Sequence, residues 1–164
     1  MAEGNFANAI ADYEAAIGTS SSPDVQGLAR WGLAVAFERD RDLPRGLAMA
    51  RIAQAIQVPH GGGYVGVLDL PGIFFVPAYD EHYYRALGLM AVALVESDTD
   101  KAIKGLQDAA LLWSMYLADA QADSPPWIDN AVRHRQRCLD ESKRLMQQLE
   151  SRGPSGREPS AVQH

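Results

Sequence analysis

Trp31-Gly32-Leu33-Ala34-Val35-Ala36-Phe37 returns 56 residues later as Leu87-Gly88-Leu89-Met90-Ala91-Val92-Ala93, with Gly and Leu in matching places. The same offset pairs Gly46 with Ala102, each the small residue that opens the next apolar segment. Two segments that agree on one spacing mark an internal repeat, and a repeat constrains the fold more than any local preference does.

Three polar turns head the repeated unit. Gly4-Asn5-Phe6-Ala7-Asn8-Ala9-Ile10 leads to Tyr13, Ala16 and Ile17. Arg41-Asp42-Leu43-Pro44-Arg45-Gly46-Leu47 leads to Ala50 and Ala53, and Ser97-Asp98-Thr99-Asp100-Lys101-Ala102-Ile103 leads to Leu106 and Ala109. Each turn is followed by a small residue, a large aliphatic one, and further apolar positions on the same helical face, which is the signature of a helix starting at a cap. The expected fold class is therefore all-α, built from helical hairpins.

At these residues the chain resembles the tetratricopeptide repeat family. The likeness rests on the Gly-Leu pair of the first helix, Phe37 near its end, the Gly4-Asn5-Phe6 and Asp42-Leu43 turns, and Ala16 and Ala53, where neighbouring helices approach. It covers residues 4 to about 58 and 80 to 119. The chain departs from the family pattern in lacking a first helix in the first repeat, and in having Ser97 for a turn glycine and Ala93 for an aromatic. Against a period of roughly 34 residues, the offset of 56 and the 37 residues from Ala9 to Gly46 locate a large and a small insertion.

The resemblance implies a short solenoid whose first helices line a concave groove. By position, that groove would be lined by Trp31, Val35, Glu38 and Arg39, with Tyr84, Leu87 and Ala91 from the next repeat and Trp31 as anchor. It implies a protein-protein interaction scaffold for a protein or peptide, with no catalysis, within a multiprotein assembly. The Trp31–Phe37 helix and the Phe74-Phe75-Val76-Pro77 stretch are loosely similar to tetratricopeptide proteins of bacterial envelope and motility machinery. A repeat without its first helix leaves an apolar face uncovered, so the natural polypeptide is expected to begin further upstream. The compartment stays open: cytoplasmic by default, since the first residues carry no signal peptide, and periplasmic or envelope-associated if a leader precedes them.

The large insertion spans about 59–80. Leu70-Pro71-Gly72 suits a type II turn, and Tyr64–Asp69 with Ile73–Val76 around it suggest a small hairpin or an Ω-loop, reached through a flexible Gly61-Gly62-Gly63 hinge. Phe74, Phe75, Tyr79, Tyr83 and Tyr84 are too many rings for a small loop to bury in itself. They either pack onto the helices or present an anchor patch to a partner. Past it, Ile128, Ala131, Val132, Cys138, Leu139, Met146 and Leu149 form the stripe of a capping helix over about 126–150. One domain, 1–150, is expected, with 151–164 a disordered tail.

A formal charge of −6 speaks against a nucleic-acid partner, whose phosphates call for a basic surface. The longest apolar run, Ala86 to Val95, is about half of what a membrane helix needs. The single Cys138 excludes an internal disulfide and a cysteine-rich zinc site.

Candidates for chemistry each have a plainer reading. His134 and Cys138 have metal-ligand spacing but no further ligands in sequence, and the plainer reading is a buried Cys138 in the helix stripe with a solvated His134. Asp80-Glu81-His82 opens a helix, where carboxylates suit the dipole. The triple glycine lacks the lysine and serine of a phosphate loop. Arg133, Arg135, Arg137, Lys143 and Arg144 share their helix with Asp140 and Glu141, giving a mixed-charge face. No catalytic residue, metal or cofactor is expected. The partner-binding candidates are Trp31, Val35, Glu38, Arg39, Phe74, Phe75, Tyr84 and Leu87. The alternatives are a small-ligand or enzymatic domain built around the aromatic insertion, and a structural spacer.

Overall fold

The computed structural model describes residues 5–152, so the expected tail lies almost wholly outside the described residues. Six helices are described: α1 Phe6–Thr19, α2 Pro23–Arg39, α3 Leu43–Ala55, α4 Asp80–Ala93, α5 Thr99–Ala120 and α6 Ile128–Arg152. Strands β1 Gln57–His60 and β2 Gly63–Gly66 and a 3₁₀ turn at Val67–Asp69 sit between α3 and α4. The chain is thus mostly helical with one small antiparallel sheet.

The polar turns read from the sequence act as caps. The Asn5 side chain accepts from the Asn8 amide at 3.3 Å, and Asp42 accepts from that of Arg45 at 3.2 Å. Asp98 accepts from both Asp100 and Lys101. Each bond satisfies a donor that the first turn of a helix leaves free. The small residues then set the helix spacing. Tyr13 lies over Gly32, and a Cβ on Gly46 would stand 3.0 Å from the carbonyl oxygen of Ala34.

Each helix packs on the next from α1 through to α6, and the α3–α4 contact joins the first three helices to the last three. Trp31, Val35, Tyr83, Leu87, Met90, Leu106, Trp113 and Tyr116 form a continuous core between them. The α6 side chains in that core are Ala131, His134, Cys138 and Ser142, a stripe of small and polar groups. Val132, Leu139, Met146 and Leu149, expected in the stripe, stand exposed.

The two halves meet in a way that differs from a simple stack of repeats. Equivalent helices of stacked repeats run in the same direction. Here Arg39 at the end of α2 pairs with Asp80 at the start of α4, and Trp31, two turns back, lies against Gly88, two turns on. Helix α4 therefore runs against α2. The cause is the segment 56–79. It leaves the end of α3 beside the start of α2, where Val67 packs on Gly27, and delivers the chain to Asp80 at the other end of α2. A short turn would have started α4 where α3 stops and kept the directions of a regular repeat.

Within that segment the hairpin lies earlier than expected. Gln57 pairs with Gly66 and His60 with Gly63. Gly61 and Gly62, expected as a flexible hinge, are the turn itself, with φ of +59° and +84°. Two successive positive-φ residues are what a tight two-residue hairpin loop requires, and glycine adopts them without steric cost. The Leu70–Gly72 turn is present: Ile73 donates to the Leu70 carbonyl and Gly72 has φ of +88°. It joins the 3₁₀ turn to a run without regular structure rather than two strands.

Cys138 is fully buried, and burial pushes its thiol up to about 12. The thiolate is the reactive form, so Cys138 is expected to resist iodoacetamide at pH 8 in the native protein and to react once urea unfolds it. Labelling followed by mass measurement checks this. The sign for stability follows from linkage: a raised folded-state value favours folding below the unfolded thiol's range, and that contribution is lost as pH rises toward 12.

Candidate functional site

The segment that reverses α4 also builds a groove. From Leu68 to Asp80 it passes along α2 from near its start to its end, while α1 lies along the same helix on the other side. Between them is an open groove of about 630 Å³. Tyr13 and Ala16 of α1 form one wall, and Gly72 to Val76 the other. The floor is Leu28, Ala29, Trp31 and Gly32 of α2 with Tyr84 of α4. Gly32 belongs there because Tyr13 occupies the space that a side chain would take.

Aromatic groups dominate this lining. The Phe75 and Tyr84 rings are 5.2 Å apart and tilted, and Trp31 stands 6.4 Å from Tyr84. Such contacts pack the Phe75 wall onto the Tyr84 and Trp31 floor. Phe74 is 81% and Val76 83% exposed at the lip, so two large apolar side chains face solvent on a wall with no regular structure. The polar end is formed by Arg39 and Asp80, joined at 3.2 Å. Burial raises the Asp80 carboxyl above its ordinary value, and Arg39 draws it only partly back. Burial likewise raises the Tyr84 phenol, which stays protonated.

Behind the groove lies a second polar cluster. The Glu38 carboxylate accepts from Asn130 Nδ2 at 2.9 Å, from His134 Nε2 at 2.6 Å and from the Tyr83 hydroxyl. Burial, then the Glu38 charge, pushes the Tyr83 phenol well above its ordinary value, keeping it a donor. Arg39 lies between the Tyr83 and Trp127 rings, 4.7 and 4.8 Å from their centroids. These contacts tie the end of α2 to the first turns of α4 and α6. Glu38 and His134 are closed from solvent and neither lines the groove, so the carboxylate-imidazole pair holds helices together and meets no substrate-sized space there.

The structure brings together five of the eight sequence candidates: Trp31, Arg39, Phe74, Phe75 and Tyr84 all line the groove. Val35, Glu38 and Leu87 do not. They are buried between helices, as is Ala91, and Glu38 is covered by Tyr83 of α4 together with Asn130 and His134 of α6. Trp31, at 2% exposure, is a floor residue more than a free anchor. Tyr13, Leu28 and Val76 belong to the groove without having been singled out. The usable signal was Gly32, a glycine inside a helix that faces the α1 stripe containing Tyr13.

The remaining candidates follow their plainer readings in part, and His134, expected to be solvated, is instead buried against Glu38. Asp80 and Glu81 lie in the first turn of α4. His134 and Cys138 both face the core, and among the described residues no three His, Cys, Asp or Glu side chains group around a possible metal position. No described helix is long and apolar enough to cross a membrane. A second apolar surface exists on α5 and α6, where Leu111, Met115, Val132 and Leu139 are exposed. None of these four lines the groove. No protein-family model matches the chain, and neither a curated protein nor a solved structure matches it.

Proposed function

We propose that this chain is a protein-interaction module that holds a peptide segment of a partner in the groove between α1 and the segment 68–80, without chemistry of its own. The observation that carries the reading is the joint presence of a preformed aromatic trough and two exposed apolar side chains, Phe74 and Val76, on its lip. Exposed large apolar groups beside a concavity are the usual mark of an interaction site. Tetratricopeptide-like architecture is part of the proposal in a limited form: each half is a three-helix run of the repeat kind, and the crossover between them relocates the binding face from the concave side to the flank of α2.

Screening a displayed library of random heptapeptides against the full chain tests this. Sequences that bind wild type are expected to lose at least tenfold in affinity to Phe74→Asp, a change at an exposed position that leaves the melting temperature unaltered. Peptides that bind both forms equally would place the site elsewhere. The groove volume also lies in the range of small-molecule sites, which supports a second reading. A thermal shift with a small aromatic carboxylate or amine, lost in Phe74→Asp while no peptide is recovered, would favour it.

A further inference from the structure

The insertion-side wall of the groove is a stretch of backbone with nothing paired to it. After Ile73 closes the turn onto the Leu70 carbonyl at 3.2 Å, the chain runs through Phe74 and Phe75 to a bend at Val76. Among the described residues, no hydrogen bond uses the N–H or C=O of Phe74, Phe75 or Val76. Their side chains alternate: Phe75 turns in against Tyr84, while Phe74 and Val76 point out. Alternation with period two is strand geometry, and in a strand the backbone donors and acceptors lie in the plane between the two faces. One row of those groups therefore borders the groove.

We infer that the partner peptide enters in extended form and completes this edge, forming main-chain hydrogen bonds with Phe74–Val76 while alternate side chains settle against Trp31 and Tyr13. An unpaired extended segment beside a side-chain trough has both elements of strand addition: backbone bonds supply affinity, and pockets for every second side chain supply choice. The inference rests on the groove being a peptide site and specifies the ligand's conformation. A helical ligand bonds its own backbone groups internally and gains nothing from this edge. A proline-rich one lacks the N–H groups to pair with it. Arg39 and Asp80 already balance each other at the groove's polar end, so the inward side chains of the peptide are uncharged and apolar.

The probe is a heptapeptide recovered by the library screen, together with analogues N-methylated at one residue each. N-methylation removes a backbone donor and leaves the side chain in place. The expected result is a periodic pattern, with affinity falling about tenfold at every second methylated residue and little between. The amide protons of Phe74 or Val76 should also gain protection from solvent exchange in the complex. A peptide that still requires Phe74 but shows no alternation, with those amides unprotected, overturns strand addition and leaves the groove as a site that works through side chains. Failure to recover any peptide that requires Phe74 overturns both.

Discussion

Replacing Glu38 by alanine is expected to destabilise the protein by about 3–5 kcal/mol in urea unfolding. The carboxylate is almost fully buried and accepts from three donors on two other helices, Tyr83 of α4 and Asn130 and His134 of α6. Taking it away removes no liability from those partners. It leaves a phenol, an amide and an imidazole facing a void, and each unsatisfied buried group costs about 1–3 kcal/mol. Glu38→Gln keeps an acceptor for part of the network and is expected to lose less than Glu38→Ala. An alanine variant within about 1 kcal/mol of wild type would mean that the three helices are not joined through this residue.

Trp31→Ala is expected to cost a further large amount when made alone, about 3–5 kcal/mol, through lost packing and the cavity that remains. The ring reaches from α2 across to Gly88 and Tyr84 of α4. It is therefore an apolar contact between α2 and α4, whose directions are opposed. Urea unfolding of Trp31→Ala beside Phe74→Ala separates the two kinds of aromatic residue. Phe74→Ala should stay within about 0.5 kcal/mol of wild type, as exposed positions do, while losing the peptide. Trp31→Ala should unfold early, so a loss of binding in that variant alone would say little about the groove.

The helices were legible in the sequence because their signals are local. Asn5, Asp42 and Asp98 cap the segments they head, and Gly32, Gly46 and Gly88 mark where helices touch. The direction of α4 was not legible. It depends on where residues 56–79 deliver the chain, and the sequence of α4 is equally compatible with either direction along α2. Nor was the closure of the face expected to be concave, where Val35, Glu38 and Leu87 are buried, Glu38 beneath residues of both α4 and α6.

The site was legible where composition alone was unusual. Phe74 and Phe75 stood out as rings that a loop could not bury, and one of them is in fact left in solvent. Arg39 and Tyr84 line the groove, with Arg39 itself nearly buried, and not the concave face expected of them. Tyr13 escaped notice because its helical spacing marks it as an ordinary packing residue. Its second role, as the opposite wall, exists only because the inserted segment passes beside α1 on the flank of α2.

The groove is tested most directly by mapping amide chemical shifts of the full chain as a recovered heptapeptide is added. The expected changes are largest around Tyr13 and Ala16, along Leu28 to Gly32, and from Gly72 to Val76, the three sides of one trough. Changes centred instead on Leu111, Met115, Val132 and Leu139, with the amides of Phe74 and Val76 unmoved, would contradict the account and assign binding to the α5–α6 surface.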